Sequence, residues 1–159
     1  MIPGEYRAAI LDWAKSQVGP GDPRAYWLSA LGSYPGPKLA WCATFCLAAL
    51  HAAGVGLAVK QVLGQGIVGP AQLKQTHDPQ RGDIGYVDKP FQHHFLFDHA
   101  DDQGLIHSID GNQPDVRERT RRPDQVTAFY SIEPLIPLPE GGFVRGQEFS
   151  VPGVEDKST

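Results

Sequence analysis

Leu39-Ala-Trp-Cys-Ala-Thr-Phe-Cys-Leu-Ala-Ala-Leu-His-Ala-Ala53 is the stretch that decides the fold of this 159-residue chain. It is apolar almost all round and is closed by Gly54. A helix with no polar face belongs at the centre of a fold, so the remaining elements must be arranged around this one. Immediately upstream, Ser33-Tyr-Pro-Gly-Pro37 is a turn-rich loop, which places Cys42 in the first turn of the buried helix.

Working outward toward the N-terminus, Tyr6, Ile10, Trp13 and Gln17 recur at intervals of three or four. They predict an amphipathic helix over about residues 5–18, stopped by Gly19-Pro20-Gly21. Asp22-Pro23 offers a cap and an N-terminal proline for a short helix through Tyr26, Trp27, Ala30 and Leu31 to Gly32. Downstream, residues 54–69 are glycine-rich and read as a surface wrap, and Pro70–Gln75 as one more short helix. From Asp83 the texture changes to short apolar runs. Strands are expected at Ile84–Val87, His94–Phe97, Leu105–Ile109, Val116–Thr120 and Val126–Ile132, with a hairpin turn at Asp101-Asp-Gln-Gly104. Helices followed by an antiparallel meander define an α+β fold. Residues 1–133 read as the folded domain. Residues 134–159, rich in Pro and Gly, read as an extension, ordered at first and then a loose tail.

Composition narrows the function. The formal net charge is −4, and the short Arg117–Arg122 cluster is the longest basic run, so a phosphate backbone is a poor partner. No run approaches the ~18 apolar residues of a membrane span. The start, Met1-Ile-Pro-Gly-Glu-Tyr-Arg7, has no secretory-signal pattern. The two cysteines, Cys42 and Cys46, sit one helical turn apart, a spacing that keeps their Cβ atoms too far apart for a disulfide. A free thiol is therefore available.

At a helix N-terminus the unpaired N–H groups favour a thiolate, so Cys42 is the candidate nucleophile. Cys46, a turn deeper, reads as packing, and core packing is also the plain alternative for Cys42. A thiol nucleophile needs an imidazole within reach and a third group to orient it. Of six histidines, His94 opens the apolar strand His94-Phe-Leu-Phe97 and leads on that ground. By strand alternation His93 points to the opposite face. His99 and His107 flank the acidic hairpin, His51 lies too far along the helix, and His77 belongs to a polar loop. Asp110 and Asn112, two apart in Ile109-Asp-Gly-Asn112, share a face if the strand continues, and either can orient His94. Asp-Gly-Asn is equally ordinary turn chemistry. No His-Glu-x-x-His or paired Cys-x-x-Cys pattern is present, so no metal or other cofactor is expected, and a zinc site built from Cys42, His93, His94 or His99 is a minor reading.

Taken in order, these stretches resemble the CHAP family of cysteine- and histidine-dependent amidohydrolases and peptidases, relatives of the NlpC-type cell-wall peptidases. The resemblance rests on Ile10–Gly19, on Ala40-Trp-Cys-Ala-Thr-Phe45, on Arg81-Gly-Asp-Ile84 leading to His94–Phe97, and on Asp110-Gly-Asn112 with Val116, Arg117 and the strand at 126–132. It spans roughly residues 5–132. It implies a papain-like fold in which the nucleophile helix packs on an antiparallel sheet. Cys42 is then the nucleophile, His94 its base, and Asp110 and Asn112 the orienting pair, although many members carry Glu in place of Asp110. In the mechanism expected on this basis, the Cys42 N–H and Tyr34 or the 33–38 loop stand beside the oxyanion, and Trp41 lines the substrate groove, with core packing as its plain alternative. The implied substrate is bacterial peptidoglycan, cut at amide or peptide bonds after phage lysis, as part of a tail, or after delivery by a secretion machine, with an immunity protein as a further partner. Two rival readings use the same residues: an inert module of this fold that binds wall fragments or a protein, and a thiol amidase with a non-wall substrate.

Overall fold

The computed structural model describes residues 1–56 and 73–137. Three helices, α1 (Pro3–Ser16), α2 (Arg24–Leu31) and α3 (Cys42–Ala52), precede six strands. The strands are β1 (Lys74–Thr76), β2 (Ile84–Val87), β3 (His93–Ala100), β4 (Ile106–Asp110), β5 (Arg117–Arg121) and β6 (Ala128–Ser131). They form one sheet in the order β1-β6-β2-β3-β4-β5, with every neighbouring pair antiparallel. The fold is α+β, as the texture of the sequence requires.

The helix expected at the centre is there. Nine consecutive residues of α3, Cys42 to Leu50, are buried. Its neighbours close around it as an aromatic nest: Tyr26 of α2 meets Phe45 edge-on at 5.1 Å and stacks on Trp41 at 5.7 Å, while Trp13 of α1 stacks on Phe45 at 5.7 Å. Truncating Leu47 or Leu50, each fully buried, to alanine costs about 2–5 kcal/mol.

The sheet register sorts residues onto two faces. Ile84 pairs with Leu96, Tyr86 with His94, and Leu96 with Ile109, so these residues share the face that joins the α3 core. The opposite face carries Val87, His93, Phe95, Phe97 and Asp110, with a smaller cluster formed by Phe95, Phe97 and Ile106. The strand expected at His94–Phe97 extends in both directions because β3 is central and is paired on both sides by β2 and β4. The expected turn is present: Asp101 Oδ1 accepts from the backbone N–H groups of Gln103 and Leu105, and Gly104 takes φ 81°.

The Arg81-Gly-Asp-Ile84 stretch works as a structural pin. Asp83 is fully buried; its Oδ1 accepts from Arg7 Nη1 at 2.9 Å and from the Ile132 N–H at 3.0 Å, and its Oδ2 from the Gln80 N–H at 2.7 Å. The pair ties α1 to the middle of the sheet. A buried carboxylate supplied with this many donors stays where it is placed.

Two expectations need correction. The short helix at Pro70–Gln75 is not formed at its C-terminal end, where Lys74–Thr76 is strand β1, paired with Ser131, Tyr130 and Phe129 of β6. An open sheet edge gives these three residues ladder partners that a short local helix cannot match. Residues 70–72, and the 57–69 part of the glycine-rich stretch, lie outside the described residues. The domain also does not stop at 133: Ile136 is 2% exposed and belongs to the main core. The rest of the expected tail, 138–159, lies outside the described residues.

Candidate active site

Trp41 is the N-cap of α3 and supplies no side-chain cap, so the N–H groups of the first turn stay available to whatever sits before them. Cys42 opens that turn, with 7% of its surface exposed, and neither it nor Cys46 is in a disulfide. The buried helix thus delivers a thiol to the point where backbone donors converge.

β3 delivers two imidazoles to the same point. His94, on the α3 face, places Nδ1 3.9 Å from Cys42 Sγ, at the long end of the range for a sulfur hydrogen bond. His93, on the other face, is the first residue of β3 and lies near enough to lower the thiol's pKa, while the contact to Sγ that meets hydrogen-bond distance is the one from His94. Strand alternation separates the two side chains as expected, yet at the strand end both serve one sulfur.

The third group contradicts the sequence expectation. Asp110 bonds His93, not His94: Asp110 Oδ2 lies 2.6 Å from His93 Nε2. The same carboxylate accepts Arg121 Nη2 at 2.8 Å on Oδ2 and the Ser108 hydroxyl at 2.5 Å on Oδ1. Arg121 donates a further bond to Ser108 Oγ at 2.8 Å, and its guanidinium lies over the Phe95 ring at 4.2 Å. The register of β4 explains the choice. Leu96 pairs with Ile109, which puts Asp110 on the face of Phe95 and His93 and turns it away from His94. His94 Nε2 is buried with no hydrogen-bond partner among the described residues.

Asn112 does not join the orienting group. β4 ends at Asp110, and Asn112 adopts φ 61°, so the two-residue alternation that would align it with Asp110 has already stopped. Its side chain makes no hydrogen bond to either histidine among the described residues. The intervening Gly111 is dictated by packing: a Cβ there would fall 2.6 Å from Phe45 Cβ and 3.0 Å from Trp41 Cζ3. Trp41 itself is a core residue, 9% exposed and stacked on Tyr26. Tyr34 is half-buried beneath the Arg24 guanidinium, 5.0 Å from its ring, and makes no hydrogen bond to Cys42. Of the other histidines, His51 bonds the Ser29 carbonyl at 2.9 Å, and His99 and His107 stack on each other at 4.3 Å.

Electrostatics follow the geometry. Burial alone raises the Cys42 thiol, but hydrogen bonds and charge from His93 and His94 overcome it and bring the thiol from 9.0 down to about 6. Burial likewise disfavours the His93 imidazolium, but the bonds to Asp110 and Cys42 lift it from 6.5 to about 9. Asp110 is held below the usual carboxylate range: its burial opposes ionisation and is outweighed by His93 and Arg121. Cys46, fully buried, is pushed well above 9.0 by desolvation and then by the charges of Cys42 and Asp110, as befits a packing residue. At neutral pH the site is therefore a thiolate facing an imidazolium, with a carboxylate behind it.

Sequence reading sets His93 aside on the opposite face and does not single out Ser108 or Arg121. Counting back from the turn at Asp101–Gly104 does not identify the first of them, because uninterrupted pairing sets Asp110 opposite Leu96, on the face of His94. The register shift between Phe97 and His99 moves it by one residue, to the face of His93. Among the described residues no group of three or more His, Cys, Asp or Glu side chains can hold a metal ion, and no helix is long and apolar enough to cross a membrane. Comparison with protein-family models, with curated proteins and with solved structures gives no match for this chain.

Proposed function

We propose that this protein is a papain-like cysteine amidase or endopeptidase, related to the CHAP family, that cuts amide bonds in bacterial peptidoglycan. The observation that carries the reading is Cys42 at the uncapped start of a buried helix, with His94 Nδ1 3.9 Å from its sulfur and the adjacent His93 held by Asp110 at 2.6 Å. A free thiol with a depressed pKa, an imidazole acting on it, and a buried carboxylate fixing that imidazole make up the apparatus of a thiol hydrolase.

The reaction follows from the protonation states. The Cys42 thiolate attacks the carbonyl carbon, and the carbonyl oxygen takes up negative charge facing the N–H groups of the first turn of α3. His93 enters as the imidazolium. With Nε2 engaged by Asp110, the proton it gives to the leaving amine is on Nδ1. The C–N bond breaks and a thioester remains on Cys42. His93, now neutral, takes a proton from water as the water attacks the thioester, which restores the thiolate and the imidazolium. Asp110 keeps the ring's orientation and tautomer throughout. The base in this reading is His93 and not His94, because only His93 has the partner that defines its tautomer.

The substrate class rests on the ordered resemblance of Trp41-Cys42-Ala-Thr-Phe45, Arg81-Gly-Asp-Ile84 and Asp110-Gly-Asn112 to wall hydrolases. Acting on the wall places the enzyme in the periplasm or outside the cell. The test is product release from purified cell walls, followed by turbidity and by mass spectrometry of the fragments. The wild-type protein and Cys46→Ala are expected to release amine-terminated fragments, and Cys42→Ala to release none. Digestion by Cys42→Ala, or wild-type protein that leaves walls intact, overturns the proposal.

A further inference from the structure

The site holds one more imidazole than a nucleophile–base–acid chain requires. His94 is 2% exposed and points Nδ1 at Cys42 Sγ from 3.9 Å. Its Nε2 is buried and has no partner among the described residues. Tyr86 lies against the ring, 5.1 Å between centroids and tilted by 53°. On the same face Leu96 and Ile109 continue the apolar surface.

Those surroundings decide the tautomer. A proton on Nε2 would be a buried N–H with no acceptor among the described residues, one of the costliest ways to leave a polar group. A bare Nε2 leaves only a lone pair unmatched, the milder defect. The neutral ring therefore carries its proton on Nδ1, the nitrogen facing the sulfur. In that state His94 donates to Cys42 and has no lone pair on Nδ1 with which to take the thiol's proton.

We infer that His94 is a fixed hydrogen-bond donor to the Cys42 thiolate, a second partner of the reacting sulfur whose task is separate from the proton transfer assigned to His93. The inference rests on the thiol-hydrolase reading above. It divides labour by face. The outer face of β3 supplies the proton carrier, which needs Asp110 and hence a polar setting. The inner face supplies a donor embedded in the core, with no carboxylate partner to move its proton. The groups acting on the ionisation of the sulfur are His93, with Asp110 behind it, and His94 itself, and the buried Cys46 lies one turn deeper. A donor at this distance is weak at rest. It acts throughout the cycle by favouring charge on sulfur before attack and on its return when the thioester opens.

Substitution can separate the donor from the ring. Asparagine places its amide N–H close to the Nδ1 position, whereas leucine fills the space with no donor. The measurement is Cys42 alkylation by iodoacetamide as a function of pH, which reads the thiol titration without any turnover. His94→Leu is expected to raise the thiol pKa by about one unit, and so to slow alkylation about tenfold below pH ~6. His94→Asn is expected to stay within about half a unit of wild type, and thermal melting establishes that both variants are folded. ¹⁵N NMR of the wild-type imidazoles supplies a test without mutation, with the expected result being that the neutral His94 ring carries its proton on Nδ1 and leaves Nε2 bare. An unchanged thiol pKa in His94→Leu, an equal rise in both variants, or an Nε2–H tautomer overturns the inference. Failure of the hydrolase reading looks different: the alkylation pattern persists while walls stay intact.

Discussion

Replacing His93 with alanine removes the group that most strongly offsets the burial of the Cys42 thiol. In the native site that thiol titrates at about 6 rather than 9.0, although burial pushes the other way. The shift corresponds to stabilisation of the thiolate on the order of 4 kcal/mol, supplied by two imidazoles together. His93 contributes first through its hydrogen bond and then through its charge, and the weaker His94 contact at 3.9 Å remains in the variant. His93→Ala is therefore expected to move the thiol titration up by about two units. At about pH 6.5 the thiolate share then falls from roughly three quarters to roughly 3%, a twenty- to thirty-fold loss. Iodoacetamide alkylation across pH, with thiolate absorbance in the ultraviolet as a second readout, measures this directly. Wall digestion should fall further, by about 10²–10⁴, because the proton donor to the leaving amine is lost as well. A His93→Ala thiol that still titrates near 6, in a folded protein, would refute the assignment of His93 as its principal partner.

Four further outcomes follow from the same geometry. Wild-type activity is expected to be bell-shaped in pH, rising as the Cys42 thiolate forms near 6 and falling as the His93 imidazolium is lost near 9, with both limbs belonging to the coupled pair; a single-limb profile in initial rates of wall digestion would contradict this. Arg121→Met leaves Asp110 buried without its guanidinium and should cost about 3–5 kcal/mol in urea unfolding, with partial recovery in Arg121→Lys. Asp110, whose folded pKa is depressed, contributes stability that is fully present above about pH 4 and is lost as pH falls through its folded value. Thermal midpoints should accordingly drop on acidification below about pH 4, and the drop should be smaller in Arg121→Met, where the folded value is less depressed. Gly111→Ala forces a Cβ to within 2.6 Å of Phe45 Cβ, which should cost about 1–3 kcal/mol in the same urea assay and lower wall digestion by shifting Asp110 relative to His93.

Much of this site was legible before any coordinates. Cys42 follows from an apolar helix preceded by a turn-rich loop, because the N-terminus of a buried helix is where a thiolate is stabilised. Asp110 follows from its place at the end of an apolar strand. His94 came forward by the same reasoning, and it does face the sulfur. What strand position cannot reveal is which of two adjacent histidines meets the carboxylate, since that depends on cross-strand register. The pairing of Leu96 with Ile109 settles it in favour of His93. Asn112 shows the converse error. Alternation over two residues holds only while the strand continues, and this one stops at Asp110, with Asn112 turned to φ 61°.

The amino-acid order by itself determined the α+β class, the buried position of α3, the absence of a bond between Cys42 and Cys46, and the region in which the chemistry gathers. These depend on hydrophobic periodicity and helix spacing, which are local properties of the chain. Only tertiary structure decided that Asp110 serves His93, that Arg121 and Ser108 hold Asp110, that Asp83 pins α1 to the sheet through Arg7, and that Lys74–Thr76 is an edge strand and no helix. Each of these joins residues distant along the chain or paired across strands. Its outcome is fixed by register and by the need to satisfy every buried polar group, neither of which a single segment contains.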